Sequence, residues 1–305
     1  MSDWQLKTPV ALIIFNRPDA TERVFSAIAS ARPPKLLVIA DGPRGDRVQE
    51  AEKCALTRAI IDRVDWDCEV LTNFSDKNLG CKVRVSSGID WVFDQVEEAI
   101  ILEDDCLPHP TFFRYCQELL VRYRHDQRIG LISGDNFQFG RRRNDDSYYF
   151  SKYVHIWGWA TWRDRWVANY DVAMSNWPRI RDGGWLSDIF DHGREAFFWH
   201  NIFERVYRGE IDTWDYQWVF ANWLQGRLTV LPTVNLVTNI GFDANATHTT
   251  GRSELANLPV QAITFPLAHP VGIIRDRRAD AFSKRKCFQV PLMKRIQNKF
   301  LGAMT

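Results

Sequence analysis

Three short apolar runs constrain this chain most: Val10-Ala-Leu-Ile-Ile-Phe15, Lys35-Leu-Leu-Val-Ile-Ala40 and Ala99-Ile-Ile-Leu-Glu103. Each is apolar without alternation, ends abruptly on polar residues, and has a stretch of helical spacing nearby. Such runs suit strands buried on both faces, and their alternation with helices predicts a parallel sheet with crossover helices over the first 135 residues. Asp19 with Glu22 three residues later predicts a capping-box helix start, with Val24, Phe25 and Ile28 as its apolar face. A helix over about residues 48–64 and a short strand over 69–72 follow. Asn78-Leu79-Gly80 then opens a helix with Cys81, Val85, Ile89 and Val92 spaced by four, four and three.

In open α/β sheets, ligands bind outside the carboxyl ends of the strands. Asn16-Arg17, Asp41-Gly42 and Glu103-Asp104-Asp105 are therefore expected to converge on one crevice. The last group is the most telling, because three consecutive carboxylates at the end of a buried strand repel one another and resist desolvation unless a cation or hydrogen-bond donors meet them. Adjacent oxygen ligands there suit a hard divalent ion, Mg²⁺ or Mn²⁺, which in turn can hold a diphosphate. A solvated acidic turn is the competing reading. No G-x-G-x-x-G follows the first run and no G-x-x-x-x-G-K-[ST] occurs, which weighs against dinucleotide and P-loop sites.

With 305 residues, 45% hydrophobic and 25% charged, the chain is expected to form one compact unit, and disordered and collagen-like classes are excluded. A net charge of +1 gives no whole-chain argument for nucleic acid, but residues 275–305 carry nine Lys/Arg against Asp276 and Asp280, +7 locally and −6 elsewhere. Six cysteines without a C-x-x-C pair suggest neither a zinc site nor a disulfide framework, and fit reduced thiols in a cytoplasm. No signal peptide and no apolar stretch near the roughly 20 residues that span a bilayer is expected. Ten of the thirteen tryptophans fall between Trp157 and Trp223, four of them in Ile156-Trp-Gly-Trp-Ala-Thr-Trp-Arg-Asp-Arg-Trp166. Most should form an aromatic core, leaving one or two to stack on a sugar ring beside the crevice.

Together these motifs resemble the nucleotide-sugar-binding half of a GT-A glycosyltransferase, and more narrowly the N-acetylglucosaminyltransferase I family and its bacterial relatives, whose metal motif is also Glu-Asp-Asp. Four elements carry the resemblance in order: Phe15-Asn-Arg-Pro18 with Asp41-Gly42, then Asn78-Leu-Gly80 with Lys82 and Arg84, then Glu103-Asp104-Asp105, and finally Trp157-Gly-Trp-Ala-Thr-Trp162 with Thr213-Trp-Asp-Tyr-Gln-Trp218. It covers roughly residues 9–245. The resemblance implies an α/β, GT-A (nucleotide-diphospho-sugar transferase) fold, with a mostly parallel central sheet flanked by helices and a Trp-rich acceptor half. The expected organisation is a nucleotide-sugar-binding half over 1–135, an acceptor and catalytic half over 136–250, and a basic extension over 251–305.

Residue by residue, the resemblance implies that Asp105 ligates Mn²⁺ or Mg²⁺, Asp104 meets the ribose or the metal's water shell, and Glu103 holds the sugar or supports the metal ligands from behind. Arg17 and Asp41 would meet a nucleotide, expected to be uridine, and Lys82 would either reach the donor from the start of its helix or stand as a solvated lysine. Asp215 is the implied general base, with a helix N-cap as the alternative. His248 in Asn245-Ala-Thr-His-Thr-Thr250 stands as a second metal ligand or an ordinary surface residue. The implied activity is metal-dependent, inverting transfer of a sugar from a nucleotide-diphosphate donor to a saccharide or glycolipid acceptor in surface polysaccharide synthesis. Alternatives are a sugar-phosphate nucleotidyltransferase, which usually carries a glycine-rich loop where this chain has Asn16-Arg-Pro-Asp-Ala20, and a non-catalytic saccharide-binding protein on the same fold. The expected location is cytoplasmic. The basic C-terminus reads either as a solvated helix or as a peripheral contact with an anionic inner-membrane face, and nucleic acid is not an expected partner.

Overall fold

The computed structural model describes residues 4–190, 193–242 and 254–287. The amino-terminal half alternates strand and helix as its apolar runs dictate: β1 (Val10–Ile14), α1 (Pro18–Ala31), β2 (Lys35–Ala40), α2 (Glu50–Ala59), β3 (Glu69–Phe74), α3 (Gly80–Gln95) and β4 (Glu98–Glu103). A short strand β5 (Cys106–Pro108), helix α4 (Thr111–Tyr123) and β6 (Ile129–Ser133) follow. Then come β7 (Tyr148–Ser151), β8 (Trp159–Trp162), α5 (Arg163–Val167), α6 (Trp177–Asp182), α7 (Leu186–Ile189), α8 (Gly193–Tyr207) and α9 (Asp215–Leu224). Strands β9 (Leu228–Pro232) and β10 (Val237–Asn239) and helix α10 (Arg277–Cys287) complete the described chain.

Among these residues an eight-stranded sheet runs in the order β3-β2-β1-β4-β8-β6-β9-β7, with β10 and β5 paired apart. The first four strands are mutually parallel, whereas β8 is antiparallel to both neighbours and β7 to β9. The sheet is thus mixed, and the mostly parallel expectation holds strictly for its amino-terminal part. β8 enters from an irregular segment rather than a crossover helix, so nothing imposes a parallel sense on it.

Alternate residues of the central strands feed two cores. Val10, Leu12, Val38 and Leu102 pack with α1 and α4, while Ala11, Ile13, Ile39 and Ile101 pack with α3 and the tryptophan cluster. A third core joins α6 to α9 around Trp177, Trp199, Phe203 and Trp223. Of the ten clustered tryptophans eight are buried, Trp157 is half-buried, and Trp185 is 58% exposed. The aromatic segment is therefore mainly core.

Two local expectations need correction. Helix α1 begins at Pro18 with Arg17 as N-cap and no side-chain cap bond, because a proline at the first helical position needs no N–H partner and presets φ. Glu22 is not a capping partner: its carboxylate accepts from both terminal nitrogens of Arg63, at 2.6 and 2.5 Å. The helix expected over 48–64 is shorter, ending at Ala59 and tightening into a 3₁₀ turn over Ile60–Arg63.

Candidate active site

The strand order 3-2-1-4 places β2 and β4 on opposite sides of β1, so the chain leaves β1 and β4 with a crevice between them, the topological switch point where open α/β sheets bind ligands. A cleft of about 470 Å³ lies there. Its walls come from the ends of β1 (Ile13, Ile14, Phe15), β2 (Asp41) and β4 (Glu103, Asp104, Asp105), from the first residues of α3, and from Trp157, Asp212 and Asn239. The three polar strand ends read from the sequence thus meet in one place.

Arg17 is the cation among the acids. Its Nη1 lies 2.8 Å from Asp105 Oδ2 and 3.7 Å from Asp104 Oδ1. Asp104 is 8% exposed, and its Oδ2 accepts the Phe15 amide N–H at 3.3 Å, tying the end of β4 to the end of β1. Burial, reinforced by repulsion from Asp105, pushes the Asp104 carboxyl up to about 7, against the opposing pull of Arg17 and the Phe15 amide. Burial likewise raises Glu103 well above the usual carboxylate range, and Asp105, Asp104 and Asp215 add to it by repulsion. One guanidinium does not neutralise this group of carboxylates.

Carboxyls that burial and mutual repulsion hold back from ionising are oxygen donors whose charged form a hard cation would stabilise, so this donor set fits one. Among the described residues no three His, Cys, Asp or Glu side chains form a ready cage. A Mg²⁺-type ion that keeps waters and binds phosphates needs only one or two protein carboxylates, and Asp105 with Asp104 on the cleft wall supplies that number. Gly241 leaves the room: a Cβ on it would lie 2.1 Å from Asp105 Oδ2 and 2.9 Å from Arg17 Nη1.

Asp41 does more than line the wall. Its Oδ1 accepts the amides of Gly42 and Leu79, both at 2.9 Å, and its Oδ2 accepts Asn78 Nδ2 at 3.0 Å and the Gly80 amide at 3.1 Å. The carboxylate thus satisfies donors at the start of α3, which no side chain of the helix's own N-cap does. Burial raises its pKa, and the amides of Leu79, Gly42 and Gly80 oppose the rise. The turn beyond β2 packs backbone to backbone on the loop before α3, since a Cβ on Gly42 would sit 2.5 Å from the Lys77 carbonyl carbon. Arg44, at the cleft rim, is held by Glu50 through Nε at 3.1 and 3.0 Å, and Glu50 also accepts Asn16 Nδ2 at 2.9 Å.

The remaining expected residues divide. Lys82 is half-buried on α3 and does not line the cleft; Cys81, Arg84 and Val85 of the same helix do. Arg84 is anchored by the end of β3, where its Nη2 donates to Asn73 Oδ1 at 2.8 Å. Asp215 opens α9 one residue after its N-cap, Trp214, and accepts a hydrogen bond from the Thr213 hydroxyl. It is not itself part of the cleft wall, yet it stands close enough to raise both Glu103 and Cys81. His248 lies outside the described residues.

Several cleft residues carried no role in the sequence. Asp212 is exposed, lines the cleft, and brings Oδ2 to 3.0 Å from the position a Cβ on Gly80 would take. Its signal was an acid three residues ahead of Asp215. Asn239, Gly241 and Phe242 enter from the end of β10, marked in sequence only by the polar close of a short apolar run. Trp157 is the tryptophan at the cleft; its ring meets Phe242 at 5.5 Å and Phe137 at 5.3 Å, and its amide donates to Asp135 Oδ2 at 3.0 Å.

No protein-family model matches the chain, and no curated protein matches it. Among solved structures the chain is similar to one described as the crystal structure of UDP-glucose pyrophosphorylase complexed with UDP-glucose, at 10% identity and a TM-score of 0.24. The match covers 41% of this chain and 56% of that one. A likeness so low and partial defines no family.

Proposed function

We propose that the protein is a metal-dependent glycosyltransferase of GT-A type that takes a nucleotide-diphosphate sugar, a uridine nucleotide in the first instance, and passes the sugar to a saccharide or lipid-linked acceptor with inversion. The observation that carries this reading is the meeting of Glu103, Asp104 and Asp105 with Arg17 and Asp41 at the switch point of a 3-2-1-4 sheet. Asp105, with Asp104 beside it, would hold the ion, and a bound divalent cation there stabilises the charge that develops on a departing diphosphate. Arg17 is the guanidinium nearest that charge and is already oriented by the two carboxylates. Asp41 shapes the nucleotide wall by fixing the start of α3, whose first amides its own carboxylate accepts. Trp157 offers a ring beside the acids on which the apolar face of a sugar stacks. Asp215 takes the proton of the attacking hydroxyl, and Asp212, on the open side of the cleft, orients the acceptor.

The experiment is a product assay with Mn²⁺. Release of UDP from UDP-sugars in the presence of saccharide acceptors supports transfer, whereas release of pyrophosphate from UTP and a sugar 1-phosphate identifies a nucleotidyltransferase instead. Asp215→Asn is expected to lower UDP release by about 10² to 10⁴ fold and leave donor binding intact; turnover retained in that variant removes Asp215 from the role.

A further inference from the structure

A second cleft, of about 610 Å³, lies beside the edge strand β7 and shares no lining residue with the first. Five arginines face it from two segments: Arg141, Arg142 and Arg143 from the loop before β7, and Arg278 and Arg285 from α10. The acids on its walls are Asp146 and Asp276, and Asp276 is already engaged, since its Oδ1 accepts the amides of Arg278 and Ala279 at 2.9 and 3.0 Å and caps α10. The arginine loop is braced rather than loose. Arg142 donates to Thr233 Oγ1 at 2.8 Å, Arg143 approaches Asp276 Oδ1 at 3.3 Å, and the Arg141 guanidinium sits 4.4 Å from the centre of the Phe282 ring. Arg278 and Arg285 are exposed and form no ion pair among the described residues. On the same rim Val271 is fully exposed and Ile274 is 72% exposed.

Guanidinium groups gathered around exposed aliphatic side chains match a surface that is anionic outside and apolar just beneath. Arginine forks match phosphate oxygens, and apolar side chains gain by entering the boundary between headgroups and acyl chains. From this pairing we infer that the arginine cleft is a docking surface for an anionic phospholipid membrane, with the lipid phosphates on Arg141–Arg143, Arg278 and Arg285 and with Val271 and Ile274 inserted. Charge argues against self-coverage. The 18 residues that follow α10 contain Lys294, Arg295 and Lys299 and no Asp or Glu, so their sequence offers the arginines no counter-ion. The inference stands independently of what the first cleft binds. It would hold a transferase, or any other enzyme on this scaffold, against the surface where a lipid-linked substrate resides.

The test is flotation of the full chain with vesicles of phosphatidylcholine alone or mixed with phosphatidylglycerol. Binding is expected only with phosphatidylglycerol and should weaken with salt. Replacing Arg278→Ser and Arg285→Ser together should lower the vesicle partition coefficient roughly 30-fold, at about 1 kcal/mol per basic residue. Val271→Asp with Ile274→Asp should lower it as well, and an unchanged melting midpoint in both variants shows that the fold survives. Absence of flotation with phosphatidylglycerol overturns the inference. So does unreduced flotation of the arginine variant, which would move the contact to another face or to the following segment. Saturable binding of glycerol 3-phosphate by a protein that does not float with phosphatidylglycerol vesicles also overturns it, because the cleft would then be a site for a soluble phosphate compound.

Discussion

At Asp41 two readings meet that the sequence could not separate. An aspartate at the end of a strand suggests a ligand contact, and the resemblance implied a nucleotide; the structure adds amide donors from Gly42, Leu79 and Gly80, so the residue also holds α3 in place. The amides of Leu79 and Gly80 come from a segment almost forty positions away, which is why local pattern could not reveal them. Asp41→Ala should therefore destabilise the fold by about 3 kcal/mol in urea unfolding, because it strands several buried donors; a loss below about 1 kcal/mol would leave Asp41 as a ligand contact only. His155 gives a pH dependence with a definite sign. It is buried against Phe137, ring centres 4.6 Å apart, and burial lowers its pKa from 6.5 to about 3. Between those values the unfolded chain binds a proton that the folded chain does not, so stability falls as pH falls. From pH 6.5 to pH 5 this group should account for roughly 1.5 kcal/mol of the loss. In His155→Leu that part of the slope should vanish, and an unchanged slope would show that His155 is not the group responsible.

Among the elements, β1, β2, β4 and α3 were legible because each is specified locally, by a continuous apolar run or by apolar residues at helical spacing. β7 and β8 were not, since what fixes them is pairing with β9 and with β4 and β6 across the sheet. The same holds for the aromatic segment. Four tryptophans within ten positions look alike in sequence, yet Trp159, Trp162 and Trp166 are buried and Trp157 alone of them lines the cleft, a difference decided by distant partners such as Phe242 and Asp135. The segment after β10 shows how closely an element can be fitted to a functional group. Gly241→Ala would drive a methyl into the space of Asp105 Oδ2, and the side chain can rotate away more cheaply than the backbone can move. That variant should keep a melting midpoint within a few degrees of the parent and bind nucleotide with metal at least about tenfold more weakly, a cost of about 1.4 kcal/mol. Parent-like affinity would mean that the position of Asp105 is not critical.

Taken as a whole, the molecule joins a sheet half that the sequence makes nearly explicit to an aromatic half whose surface chemistry only the folded chain reveals. Glu103, Asp104, Asp105, Arg17 and Asp41 were found together because a parallel sheet brings its strand ends to one side by construction. Asp212 and Asn239 escaped notice, as did the meeting of Arg141–Arg143 with the basic C-terminal segment in one cleft, because they depend on how later segments return to that sheet. No described helix is long and apolar enough to cross a membrane. The most direct test of the central claim is calorimetric titration of UDP into the protein with and without Mn²⁺, repeated with Asp105→Asn. The account predicts binding that is at least tenfold tighter with Mn²⁺ and a metal effect that disappears in the variant. Equal binding with and without the ion, or no binding of UDP in either case, would contradict it.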